Sequence, residues 1–149
     1  MRAMTGADVD HVLAHYQGLQ QRSYFYLSSL HGYSRSELLA MLDDGDARQW
    51  ISRSPEFLVS VHGVDQAQGH ARIQLFSRDQ SVDLGAAVPA MMRSLRVTRL
   101  YSYVFPDEVL EQSSLTAMGF EREAVFRSHV FKNGLYQDVL VYGLTGVPA

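Results

Sequence analysis

Apolar positions recur along the chain in two different periods. Val9, Val12, Leu13, Tyr16 and Leu19 fall three and four apart, the spacing of one helix face, which predicts a helix over residues 7–20. Thr5-Gly6-Ala7-Asp8 precedes it as a capping-box-like start, with Asp in place of the usual Glu or Gln. Ser34-Arg35-Ser36-Glu37 is a fuller capping box. Leu38, Leu39 and Leu42 follow it, which predicts a second helix ending near Asp43-Asp44-Gly45. From residue 56 the period shortens to two. Residues 56–61 and 69–76 read as strands joined through the loop 64–68, and residues 81–88 as a third candidate strand. Residues 89–95 read as a short helix, with Pro89 tolerated in its first turn. Residues 99–105 form a Tyr- and Val-rich strand. Residues 108–118 form a helix that Gly119 ends. Two alternating runs then flank Lys132-Asn133-Gly134. Asn and Gly supply the positive φ angles of a tight turn, so the chain closes in a β-hairpin.

Length and composition narrow the class. At 149 residues the chain is one domain, residues 1–149, long enough to bury a core without metals or disulfides. A hydrophobic content of 46% and a charge of 19% fit an ordinary soluble protein. A net charge of −3 with no basic stripe argues against nucleic acid as a partner. There is no cysteine, hence no disulfide, no thiolate nucleophile and no cysteine metal site, which is compatible with a cytoplasmic location. No signal-peptide apolar region and no run of membrane-spanning length is present, so no membrane partner is expected.

The helix end Met118-Gly119-Phe120 and the run Phe131-Lys132-Asn133-Gly134-Leu135-Tyr136-Gln137-Asp138-Val139-Leu140-Val141-Tyr142-Gly143-Leu144 resemble the closing motif of the GNAT superfamily of N-acetyltransferases. In that family a helix ends in Gly-Phe and a last hairpin often reads FKNGxYxDVxxYGL. The first fourteen residues resemble the family's opening, a short strand followed by a T-x-x-D helix start. The resemblance implies an α/β (α+β) fold, a mixed central sheet with helices on both faces and the closing hairpin. It also implies transfer of an acetyl group from acetyl-CoA to a small-molecule or peptide amine, and a possible homodimer.

GNAT enzymes hold the CoA diphosphate on a Q/R-x-x-G-x-G/A loop whose backbone N–H groups face the phosphates. Two registers compete for it here. In one, Gln80-Ser81-Val82-Asp83-Leu84-Gly85 is the loop, with Asp83 where the middle glycine belongs; a carboxylate there repels a diphosphate. In the other, residues 82–88 are the central strand, similar to the family's xELGxxV strand, and residues 69–73 are the strand before it. The second preserves every strand and is the favoured register. It removes the loop and leaves the following helix one to two turns short. The family's penultimate helix also carries an Asn near its start and a proton-donating Tyr; the matching positions here hold Glu108 and Leu115.

Acetyl transfer needs a donor to the thioester carbonyl, a base for the amine and an acceptor surface. The backbone of Leu84, Gly85, Ala86, Ala87 and Val88 is expected to hold the acyl arm, its small residues permitting close approach, against the alternative of a strand packed under a helix. Arg93 or Arg96 is expected to hold the diphosphate. Asp83 is the nearest candidate base, with a solvated strand-end carboxylate as the alternative. Tyr103, on one strand face with Tyr101, is a surrogate acid or a packed core tyrosine. Tyr24, Tyr26 and Tyr33 lie where the family builds its acceptor groove, or form a lid over the core. His11 and His15 have an i, i+4 spacing that can bind metal, but no third ligand is evident, so a solvated helix face and no metal are expected. His62, His70 and His129 stand singly on strands and are expected to be structural. The expected function is an acyl-CoA-dependent N-acetyltransferase. The alternative is a catalytically inactive GNAT-like binding or regulatory module that has lost the phosphate loop.

Overall fold

A computed structural model describes residues 1–20, 34–43, 48–77, 80–132 and 134–146. Seven strands form one sheet in the order β1-β2-β3-β4-β5-β7-β6. They are β1 (Arg2–Ala3), β2 (Arg48–Arg53), β3 (Glu56–Asp65), β4 (His70–Ser77), β5 (Arg99–Val104), β6 (Glu121–Lys132) and β7 (Leu135–Thr145). Neighbours run antiparallel except β4 and β5, which are parallel. A parallel pair needs a crossover, and helix α3 (Val88–Leu95) supplies it. Helices α1 (Val9–Gln20), α2 (Arg35–Asp43) and α4 (Val109–Ala117) complete the fold.

Both helix starts read from the capping pattern form as expected. Ser34 N–H donates to Glu37 Oε2 at 2.6 Å while Glu37 N–H donates to Ser34 Oγ at 3.2 Å. Thr5 N–H donates to Asp8 Oδ2 at 2.9 Å, and a short 3₁₀ turn over Gly6–Asp8 leads into α1. The Asp in place of Glu has a second use. Its carboxylate, buried with a relative exposure of 1%, takes two bonds from Arg2 at 2.6 and 2.8 Å and one from Arg53 at 3.3 Å. The Arg2 guanidinium holds the Asp8 carboxyl well below the usual carboxylate range.

The strand expected over residues 82–88 is corrected. Residues 80–84 form no strand, residues 85–87 form a turn, and Val88 opens α3. The error has a physical cause. Val82 and Leu84 are buried at 4% and 7% while Asp83 is exposed, so a loop lying on the core shows strand-like alternation without any strand partner. The third strand of the central group is instead β2, which the pattern reading passed over. Its six residues carry arginine at both ends and only Ile51 fully inward.

Alternation sorts the core onto two faces. Val59, Val61, Ile73, Leu75, Leu100 and Leu140 point to the side covered by α3 and α4 and join one continuous apolar cluster. The opposite side is apolar beneath α1 and α2, where Val9, Val12, Leu38, Ile51, Leu58 and Phe76 meet.

Candidate active site

Among the described residues the sheet has one parallel pair, and it opens there. β4 and β5 are paired for three residues, His70–Arg99, Ala71–Leu100 and Arg72–Tyr101. Beyond that point β4 continues to Ser77 and β5 to Val104 with no pairing between them. The two strands therefore diverge in the middle of the sheet, and a slot opens between their C-terminal halves. Diverging strands leave one edge of each backbone outside the ladder, so these peptide groups are available to a ligand lying in the slot.

On the α1/α2 side of that slot the sheet stops being apolar. Register places Gln49 opposite Ser60 and Ser60 opposite Gln74, and one step along it places His62 opposite Arg72 and Arg72 opposite Tyr101. All lie on the face that also bears Leu58 and Phe76. Ser60 and Gln74 are buried at 0% and 1% exposure. The Ser60 hydroxyl and His62 Nε2 hydrogen-bond each other. Both amide atoms of Gln74 are buried without a hydrogen-bond partner, as are Gln49 Nε2 and His70 Nδ1. An unsatisfied buried amide costs about 1–3 kcal/mol, so Gln74 lowers stability where a leucine would raise it. Such a residue is retained for what it binds.

Tyr101 and Tyr103 continue the row across β5. Their rings meet edge-on at 5.6 Å, and the Arg72 guanidinium lies 5.8 Å from the Tyr103 ring centroid. With His70 and Val141 they line a cavity of about 350 Å³. Arg99 and Glu123 close its rim through a two-bond ion pair, one bond at 2.9 Å. Arg99 holds the Glu123 carboxyl below its ordinary value. Gly143 makes that pair possible. A Cβ there would lie 2.3 Å from Glu123 Oε1, so the glycine of the closing motif keeps β7 open for the carboxylate to cross.

The α3/α4 side is built differently. The segment leaving β4 runs along α4, where Val82 N–H donates to the buried Ser114 hydroxyl at 2.7 Å. Gly85 N–H donates to Asp83 Oδ1 at 2.8 Å, and the N–H groups of Ala87 and Val88 both donate to Leu84 O. Three N–H donors of this loop are thus taken, one of them by the Asp83 carboxylate. The residues of this loop do not fit a diphosphate in the manner of the GNAT loop. Beside it, Gly85, Val88, Met92, Met118 and Leu144 line a largely apolar cavity of about 540 Å³, with Arg93 and Arg96 at its edge. Among the described residues, neither arginine forms an ion pair. Arg96 caps α3 at φ 56°, a left-handed conformation in which glycine is usual.

The structure brings some of the expected residues together and separates others. Gly85, Val88 and Arg93 converge on the larger cavity, with Arg96. Leu84 points into the core, and Ala86 and Ala87 belong to the turn before α3, so none of the five is strand backbone beside the slot. Asp83 lies on the α3/α4 side and Tyr103 on the other. Tyr24, Tyr26 and Tyr33 lie outside the described residues. Leu115 is fully buried at 1% exposure, and Glu108 accepts the Phe105 N–H at 2.7 Å at the start of α4. Glu111, one helical turn before Leu115 on the same side of α4, is half-buried, and burial pushes its carboxyl up, with Asp107 adding to the effect. Sequence reading missed Gln74, Ser60, Arg72 and Glu111. A glutamine inside the apolar run Arg72-Ile73-Gln74-Leu75-Phe76 was the one signal present.

Solved structures share this architecture. The spermidine N-acetyltransferase of Vibrio cholerae, solved with CoA and spermine, aligns over 97% of this chain and 93% of its own, with a TM-score of 0.74 and 16% identity. A ribosomal L7/L12 alpha-N-protein acetyltransferase, solved with coenzyme A, aligns over 99% and 94%, with a TM-score of 0.74 and 15% identity. A probable acetyltransferase aligns over 97% and 91%, with a TM-score of 0.70 and 17% identity. No protein-family model matches the chain, and no curated protein matches it in sequence. The chain has the fold of the GNAT N-acetyltransferases, a mixed seven-stranded sheet with helices on both faces. Among the described residues, no helix is long and apolar enough to cross a membrane.

Proposed function

We propose that this chain is an acyl-CoA-dependent N-acetyltransferase in which an amine attacks the thioester directly. The observation that carries this reading is the slot between β4 and β5, flanked on one side by the buried polar row. In this reading the unpaired edge of β4 after Arg72 holds the acyl arm and supplies the N–H that polarises the thioester carbonyl. The acyl group, when bound, supplies an activated carbonyl. Arg93 and Arg96 hold the donor's phosphates from the edge of the larger cavity, in place of the loop. The acceptor amine enters over Gln74, Tyr101 and Tyr103. The C–N bond forms as the C–S bond breaks; the neutral amine's proton passes to solvent water, and two groups can give one to the departing thiolate, the Tyr103 hydroxyl and the Glu111 carboxyl that burial keeps protonated to higher pH. Asp83, bound to Gly85 N–H on the α3/α4 side, is not the base for the amine in this reading.

The polar row also bears on the acceptor. Among the described residues it holds His62, Arg72 and His70 and no carboxylate of its own, and the carboxylate at the cavity rim, Glu123, is paired with Arg99, so a polycationic amine finds no open counter-charge there. A small-molecule or peptide amine of low charge fits the row better.

A second reading has its own observation. Val82 and Leu84 fill the space beside α4 and Asp83 occupies the Gly85 N–H, which suits a GNAT-like binding module that has given up the cofactor. Titration of the purified protein with acetyl-CoA by calorimetry, with desulfo-CoA and ATP as controls, separates the two. Micromolar, CoA-specific binding supports the transferase. No binding at near-millimolar ligand leaves the binding module.

A further inference from the structure

The i, i+4 histidines of α1 acquire a third neighbour in the folded chain. Glu56, the first residue of β3, reaches α1, and its Oε1 lies 2.7 Å from His11 Nε2. One ring nitrogen of His11, one of His15 and one Glu56 oxygen all lie within 4.8 Å of one another. We propose that His11, His15 and Glu56 form a binding site for one divalent transition-metal ion, with zinc the best-matched chemistry. This site is separate from the slot and from both cavities described above, and the proposal stands whether or not the chain transfers acyl groups.

Three features argue for a metal rather than a plain hydrogen bond. The first is the donor set. Two imidazoles and one carboxylate make the His₂Glu combination of open zinc sites, and solvent supplies the remaining positions. Ligands at about 2.1 Å from a tetrahedral centre stand about 3.4 Å apart, so the 2.7 Å His11–Glu56 pair opens slightly, His11 Nε2 giving up its proton to the ion, while the other spacings, all within 4.8 Å, need only modest side-chain movement.

The second feature is the His15 tautomer. His15 Nδ1 lies 2.9 Å from the His11 carbonyl oxygen, an acceptor only, so Nδ1 carries the hydrogen and donates it. Nε2 is then the unprotonated nitrogen with its lone pair exposed. A backbone carbonyl fixing one nitrogen so that the other can ligate is the usual outer-shell arrangement of metal-binding histidines.

The third is the ring geometry. The His11 and His15 rings stack at 4.1 Å with planes 26° apart. That stacking brings the two imidazoles together beside Glu56. Imidazole favours zinc, copper and nickel over magnesium and calcium, which choose all-oxygen sites. His15 is exposed, so an ion reaches the site directly from solvent. Occupancy would tie α1 to the start of β3.

The test uses the full chain without a histidine tag. Calorimetric titration with zinc measures stoichiometry and affinity, and cobalt substitution reports the ligand field by visible absorption. The expected result is one equivalent of zinc and a low-coordinate cobalt spectrum. His15→Ala and Glu56→Gln should each weaken binding by at least about tenfold, the loss typical even of an outer-shell partner. Both variants change partly exposed side chains, and far-ultraviolet circular dichroism checks that each is folded. Zinc uptake unchanged in either folded variant, or no uptake by the parent protein at submillimolar zinc, overturns the proposal.

Discussion

The two faces of the central sheet follow different rules. Beneath α3 and α4 strands β3, β4, β5 and β7 contribute buried apolar side chains, and the cluster runs from Phe57 on β3 to Leu140 on β7, with the hydroxyls of Ser77 and Ser102 the buried polar exceptions. On the other face the apolar cluster covers one end, and the middle of the sheet buries Ser60 and Gln74 with hydrogen-bonding capacity to spare. One face is therefore predominantly apolar, its unpaired buried groups being two single hydroxyls, Ser77 and Ser102. The other gives up stability at the place where the parallel strands separate. That asymmetry is what supports the proposed acceptor side, because both atoms of a buried amide are left unpaired there.

Substitutions can break or sharpen this contrast. The largest effect is expected on the apolar face. Leu100, at 0% exposure between β4 and β7, should cost about 2–5 kcal/mol as Leu100→Ala in urea unfolding. A cost under about 1 kcal/mol would mean that the face is not tightly packed.

Asp8→Asn comes next, at about 2 kcal/mol from lost ion pairing and capping. That is less than for a fully buried pair, because Arg2 and Arg53 remain more than half exposed to screening water. Its sign with pH follows from the lowered carboxyl. Stability from a depressed carboxyl is present above its unfolded pKa of about 3.9 and is lost as pH falls through the lower folded value. The parent protein should lose this increment under strongly acid conditions, while Asp8→Asn should show no such loss. Parallel acid curves for the two proteins would rule out the Asp8 contribution.

Gln74→Leu should do the opposite of Leu100→Ala. It removes two buried unpaired atoms and should raise stability by about 1 kcal/mol, while weakening acceptor use as a rise in KM. A loss of stability together with unchanged KM would move Gln74 from the acceptor side to the scaffold.

The smallest effect on stability is expected at Asp83. Asp83→Ala frees Gly85 N–H and removes an exposed carboxylate, changing stability by under about 0.5 kcal/mol. If the larger cavity and its loop receive CoA, affinity should rise about fivefold, the equivalent of ~1 kcal/mol of repulsion removed at 4 Å in water. Unchanged affinity would place the phosphates away from this loop.

Much of this architecture is legible in the chain itself. Helices α1, α2, α3 and α4, strands β3, β4 and β5 and the closing hairpin all follow from period, caps and turn residues, because each is decided by neighbours within one or two turns. The failures lie where long-range packing decides. Val82 and Leu84 alternate like a strand because they face a core, and alternation records burial rather than pairing. β2 gains its place from β1 and β3 on either side, not from its own six residues.

The site divides along the same line. The sequence by itself determined the fold class, the closing hairpin, the altered phosphate loop and the absence of the usual tyrosine at Leu115, since each is a local pattern of residue types. Only the tertiary structure decided that Gln49, Ser60 and Gln74 meet on one face, that Asp83 turns onto Gly85, and that Glu56 reaches His11. Those meetings depend on strand register and helix docking between residues 11 to 45 apart or on the direction a single side chain takes, and no periodicity along the chain encodes either.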